Sequence, residues 1–110
     1  MNVFIIPFHV KAMKNSIMPP NFDGAYVSCY SAGETYVEAT ERALKKLAND
    51  GLYPEEILQP IHEMNVDSWL AHATENWPDQ LASLPTQESF EASIKSDDVV
   101  YGPFGSYKPK

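Results

Sequence analysis

The stretch from Gly24 to Gly51, GAYVSCYSAGETYVEATERALKKLANDG, constrains the fold more than any other part of the chain. Its first residues alternate. Ala25, Val27 and Cys29 fall on one side and Tyr26, Ser28 and Tyr30 on the other, the period-2 pattern of a strand. Ser31-Ala32-Gly33 reads as a turn, and Thr35 three residues before Glu38 reads as a capping box that opens a helix. Glu38 suits the positive end of the helix dipole, and Lys45 and Lys46 suit the negative end. Glu38 with Arg42, and Glu41 with Lys45, are spaced as i,i+4 pairs. Asn49-Asp50-Gly51 is a stop signal, with Gly51 free to take the left-handed conformation after the last turn. Helical spacing places Tyr36, Thr40, Ala43, Leu44 and Leu47 on the inner face. The small Ala39 and Ala43 allow close approach to a sheet. The small apolar side of the strand is expected to meet this helix. Tyr26 and Tyr30 are then left on the far side, for a second subunit or a ligand.

The flanking chain fills in an α+β pattern. Residues 2–10 read as a strand rich in β-branched and aromatic side chains. Pro7 conflicts with a central position because it removes a ladder donor, so a covered edge strand or a bulge is expected. Residues 11–23 carry proline and asparagine loop signals together with Met13, Ile17, Met18 and Phe22. A loop of that length is usually functional or mobile. Its side chains either tuck over the core edge or form an adaptable methionine-rich contact surface. Residues 56–64 read as an edge strand rather than a helix, because Pro60 inside a helix would cost about 3 kcal/mol. Asp67 is placed as the cap of a helix over 68–76, whose Trp69, Ala73 and Trp77 share one face. A further turn is expected at 79–84. Thr86 caps a helix over 87–95 that buries Phe90 and Ile94. Asp98–Tyr101 begins a last strand, and GPFGSYKPK follows as a turn-rich tail. The expected order is ββαβααβ over one domain, 1–110. The expected architecture is an antiparallel four-stranded sheet with helices on one face, a ferredoxin-like variant.

Residues 33–47, GETYVEATERALKKL, resemble the strand-to-helix piece of antitoxins of the HicB type. The glycine-and-proline stretch usual before that turn is missing, and no DNA-binding segment is visible.

Charge is the main functional signal. The chain has 110 residues and a net charge of −7. From Leu47 to Ile94 there is no Lys or Arg, against nine acids, among them Glu55, Glu56, Glu63, Asp67 and Glu75. Such a surface is ill suited to phosphate backbones, so no nucleic-acid partner is expected. It serves solubility or complements a basic protein. A single cysteine excludes an internal disulfide and fits a reducing compartment. No apolar run reaches the roughly 20 residues of a membrane helix, and MNVFIIPFHV lacks a basic leader. A cytoplasmic protein with no membrane partner is the expectation.

No catalytic motif is present. His9, His62 and His72 have no metal-ligand spacing, and a zinc site needs at least three converging ligands, so neither metal nor cofactor is expected. Cys29, mid-strand on the apolar side, reads as a buried inert thiol rather than a nucleophile. Two functions follow. The first is a non-enzymatic interaction module that binds a basic partner, of the inhibitor, antitoxin or immunity kind, through Glu55, Glu56, Glu63, Asp67 and Glu75. The second is a small-molecule-binding or catalytic ferredoxin-like homodimer. Its site would lie between the sheet face and loop 11–23, with Tyr26, Tyr30, His9, His62, Met13 and Met18 as candidates.

Overall fold

Two long strands form the middle of the fold in the computed structural model, which describes residues 2–109. They are β1 (Asn2–Ala12) and β2 (Gly24–Ala32). They pair antiparallel from Val3 opposite Ala32 to Lys11 opposite Gly24. Helix α1 (Tyr36–Asn49) follows, then β3 (Leu52–Ile57) and β4 (His62–Asn65). A 3-10 turn (Val66–Ser68) leads into α2 (Trp69–Asn76), and a second one (Pro78–Ser83) precedes α3 (Gln87–Lys95). The short strands β5 (Val100–Tyr101) and β6 (Gly105–Tyr107) come last. All six strands join one antiparallel sheet. The result is an α+β fold.

The sheet is four columns wide, but each outer column is built from two short strands. On one side β3 pairs with Phe8–Ala12 of β1 and β4 pairs with Asn2–Ile5. On the other side β5 and β6 pair with opposite ends of β2. The break between β3 and β4 resolves the conflict at Pro7. The Pro7 carbonyl accepts from the Leu58 amide at 2.8 Å, so the proline nitrogen points at the same interrupted column. The missing donor falls where no strand is there to need it. Thus β1 is central, neither an edge strand nor bulged at Pro7; its register shift lies between His9 and Val10. The single strand expected over 56–64 is likewise two strands, with Pro60 in the gap.

Helices cover both faces, not one. Phe4, Ile6, Phe8 and Val10 of β1, with Ala25, Val27 and Cys29 of β2, pack under Ala39, Ala43 and Leu47 of α1. The alternate residues Val3, Tyr30 and Ala32 pack on the opposite side with Trp69, Ala73, Phe90 and Ile94 of α2 and α3. The pairing of two antiparallel strands fixes this, because neighbouring side chains point to opposite faces. Both sides of β1 and β2 were apolar, so each face needed a cover. Trp69 and Phe90 lie ring on ring, 4.3 Å apart and 2° from parallel. Their burial contributes about 1.5–3 kcal/mol each.

Local signals shaped the helix ends. Thr35 Oγ1 accepts from the Glu38 amide at 3.3 Å, one half of the expected box. Glu38 spends its carboxylate on Arg42 at 2.8 Å instead of returning to Thr35. Arg42 also donates to the Ala32 carbonyl at 2.8 Å and lies 3.3 Å from Asp97, at the end of α3. Ala39, Ala43 and Leu47 of α1 face the sheet as expected, but Tyr36, its first residue, is 57% exposed. At the start of α2 the cap differs too. Asn65 Oδ1 accepts from the Asp67 amide, so Asp67 is not the cap. The Gln87 side chain accepts from the Leu70 amide and donates to the Val66 carbonyl, tying α3 to the entry of α2.

The loop between β1 and β2 is stitched to the end of α1. The Met13 amide donates to Gly51 O at 2.8 Å and the Ile17 amide to Asp50 O at 3.0 Å. Gly51 has φ +72, and a Cβ there would lie 2.6 Å from Ser16 Cα. Gly51→Ala is therefore expected to cost at least about 1 kcal/mol. Urea denaturation measures it; an unchanged midpoint would show that the loop gives way.

Candidate functional site

The second sheet face is only half covered. Near its Val3–Ala32 end it lies under α2 and α3, and among the described residues no helix packs over its Lys11–Gly24 end. The uncovered half is an aromatic shelf. Alternation places His9 and Lys11 of β1 on this face, opposite Tyr26 and Gly24 of β2. Tyr53 and Glu56 of β3 continue the rows on one side, and Gly105 and Tyr107 of β6 on the other.

The side chains of this shelf are tied together. The His9 and Tyr26 rings stack at 4.6 Å and 16°. His9 Nε2 and the Tyr107 hydroxyl are 2.7 Å apart, and His9 Nδ1 lies 3.7 Å from Glu56 Oε1. Lys11 Nζ sits 5.2 Å from the centre of the Tyr107 ring and 3.5 Å from Asp23 Oδ2. The neighbouring Tyr107 phenol first, and the Asp23 carboxylate after it, raise the lysine above its ordinary pKa. The depression over these groups has a volume of about 570 Å³ and is walled by Lys108 and Pro109 as well. Gly24 is what lets the Tyr107 ring lie down. A Cβ there would come within 2.7 Å of Tyr107 Cζ and 2.6 Å of Val10 O.

Tyr30, the other tyrosine expected on this face, is not part of the shelf. It is fully buried beneath α2 and α3. Its hydroxyl lies 2.7 Å from His72 Nε2, and Trp69, Trp77 and Phe90 meet its ring edge to face. Burial pushes the Tyr30 phenol up and the His72 imidazole down from their ordinary values. Glu75 opposes the His72 shift and His62 adds to it. His72 is therefore half-buried and bonded, not a free helix-surface residue. His62 is exposed on β4, across from Ile5, far along the sheet from His9.

The loop residues also lie elsewhere. Met18 enters the core under α1, and Phe22 packs against it. Met13 is 51% exposed and borders a separate hollow with Met18. The loop thus sits with the α1 face, and only Asp23, at its end, reaches the shelf. Cys29 is buried under α1, where burial pushes its thiol up. Among the described residues no three His, Cys, Asp or Glu side chains converge on one point, and no helix is long and apolar enough to cross a membrane.

A second surface lies on the α1 side, between the start of α1 and the β3–β4 connection. Two adjoining hollows of about 370 and 250 Å³ share Tyr36, Gln59 and Ile61. Phe4, Val37, Ile57 and Pro60 supply the rest of the apolar lining, and Glu63 and Glu41 stand one in each hollow. Of the expected acidic residues, Glu55 and Glu56 lie on β3 and Glu63 on β4, all exposed along this edge. Asp67 and Glu75 are exposed at the 3-10 turn and on α2.

The aromatic character of Tyr107 marks it in the sequence as a tail residue able to pack down, but its three-residue strand is too short for alternation to place it on a face. Lys11 and Asp23 carry no periodicity that would bring them together. Tyr36 shares the helical phase of Ala43, seven residues on, but as the first residue of α1 it extends past the sheet and is exposed. No protein-family model, curated protein or solved structure matches this chain. Residues 33–47 form the turn after β2, the Thr35 cap and most of α1.

Two variants test this geometry. In Gly24→Ala the new methyl group displaces the Tyr107 ring, so the NMR signals of the His9 imidazole should move; unmoved signals would refute the close approach. For His72 the folded value lies below the ordinary 6.5, so the unfolded chain binds the proton more readily. The stabilisation from neutral His72 is full above that value and is lost as pH falls through the folded one. Denaturation across about pH 7 to 5 should show stability falling, with a flatter profile in His72→Gln.

Proposed function

We propose that the protein is a non-enzymatic interaction module that binds a basic protein partner along the β3–β4 edge. The observation that carries this reading is the make-up of the α1-side groove. Its lining is apolar, with Tyr36 and Val37 more than half exposed and Ile57 above a third. Its charges are all negative, from Glu41 and Glu63. Among the described residues neither carboxylate is within ion-pair range of a lysine, arginine or histidine. Exposed apolar residues rimmed by polar ones mark interaction surfaces. A partner side chain that fills the groove, flanked by lysine or arginine, would satisfy both features. Glu55, exposed on β3 next to this groove, extends the acidic rim. The acidic surface would speed encounter with a basic partner and reject acidic ones.

A ligand-binding or catalytic ferredoxin-like homodimer is the competing reading. It loses the Tyr30 end of its sheet face, because the chain's own α2 and α3 occupy that space. The remaining shelf near His9 and Tyr26 supports a ligand more directly than a second sheet.

Affinity capture from the native host separates these readings. A basic protein should be retained at about 0.1 M salt and released near 1 M, because exposed charges are screened as the Debye length shortens from about 10 to 3 Å. The double variant Glu41→Lys, Glu63→Lys should fail to retain it. Equal capture by the variant, capture of an acidic protein, or a stable homodimer in its place by light scattering would each overturn the reading.

A further inference from the structure

We propose that the shelf on the other face is a second binding site, for a planar aromatic ring that carries both an ammonium and a carboxylate, as a free aromatic amino acid does. This site is independent of the basic-partner groove, since it lies across the sheet from it.

Three observations converge. The floor is aromatic and fixed. His9 Nε2 lies 2.7 Å from the Tyr107 hydroxyl, and Tyr26 stacks flat on the imidazole. Tyr26 is nonetheless 51% exposed, and its β6 neighbour is Gly105, which puts no side chain against it. A tyrosine in that position offers a ring face to another ring, and offset or edge-on aromatic pairs are favourable beyond the area they bury. The volume, about 570 Å³, falls in the range of roughly 300–1,000 Å³ typical of small-molecule sites.

The charges then select among ring-bearing ligands. Lys11, Lys108 and Asp23 line the depression, two cations and one anion inside a chain of net charge −7. A ligand with only a carboxylate would give Asp23 no new partner, and one with only an ammonium would give the lysines none. A zwitterion answers both signs. Its carboxylate takes Lys11 and Lys108, its ammonium takes Asp23, and its ring rests on Tyr26. The Lys11–Asp23 contact, 3.5 Å and exposed, is loose enough to open around such a ligand, since exposed pairs of this kind hold weakly.

The test uses the full chain, labelled with nitrogen-15, and three probes that share one ring: L-tryptophan, indole-3-propionate and tryptamine. L-tryptophan is expected to give saturable shifts at the amides of His9, Lys11, Tyr26 and Tyr107. Each singly charged probe should bind about tenfold more weakly, the order of one lost charge-assisted contact. Tyr26→Ala, at a half-exposed position, should keep the dispersed spectrum of the folded protein and lose saturation. Lys11→Met should remove the preference for L-tryptophan over tryptamine. Shifts confined to residues outside the shelf would overturn the proposal. So would equal binding of all three probes, unchanged binding in folded Tyr26→Ala, or the absence of saturable shifts with L-tryptophan, L-tyrosine and L-phenylalanine alike.

Discussion

The antiparallel pairing of β1 with β2 is the constraint on which the other elements depend. Every other strand adds to one of these two, and both helical layers pack against them. The register sets which side chains share a face. Placing Ile5 beside Tyr30 and His9 beside Tyr26 puts one tyrosine in the core and the other in solvent, four residues apart on one strand. A slip of one residue would send every side chain of one strand to the wrong face. Large apolar groups on both faces of β1 make such a slip costly.

Short covers divide that sheet into regions of different character. Helix α1 lies close because Ala39 and Ala43 present almost no side chain to the strands. The layer of α2 and α3 is smaller and covers only one end, around a cluster of Tyr30, Trp69 and Phe90. Two polar devices hold it in place. The Trp69 indole donates to the Pro85 carbonyl at 2.8 Å, and Gln87 bridges the start of α2. On the other layer Tyr101 reaches from β5 to donate to Asp50 at the end of α1, at 2.6 Å. Burial and that carboxylate raise the Tyr101 pKa. These links join elements far apart in sequence, and each satisfies a polar group that would be costly to bury alone.

The uncovered regions follow from the same economy of chain. A helical layer as short as α2 and α3 cannot span β1 from end to end, so the His9–Tyr26 half of the second face stays open. On the first face α1 stops short of the β3–β4 connection, which leaves Tyr36, Ile57 and Ile61 around a groove. Both candidate surfaces therefore border β3, an outer strand that sends Glu56 to the shelf and Ile57 to the groove. Acidic residues gather there because the chain from Leu47 to Ile94 holds no lysine or arginine. Lysine or arginine contacts must come from other segments, and among the described residues Glu56 is the one acid of this edge within reach of a basic side chain, His9.

Local chemistry alone determined much of this protein. The β2–α1 unit, with Thr35 at one end and left-handed Gly51 at the other, is written in neighbouring residues. So are the helices that bury Trp69, Ala73, Phe90 and Ile94, and the alternation that separates Cys29 from Tyr30. These features depend on periodicity and on caps within a few residues, which a sequence displays directly. Only the tertiary structure decided which face α2 and α3 would cover, because alternation says that two faces exist and not what lies on each. It also decided that Pro7 would face a gap between two strands, a matter of how β3 and β4 divide one edge. The shelf itself is of this kind. His9, Tyr26 and Tyr107 come from three strands, and their contact rests on long-range pairing and on the space left by Gly24.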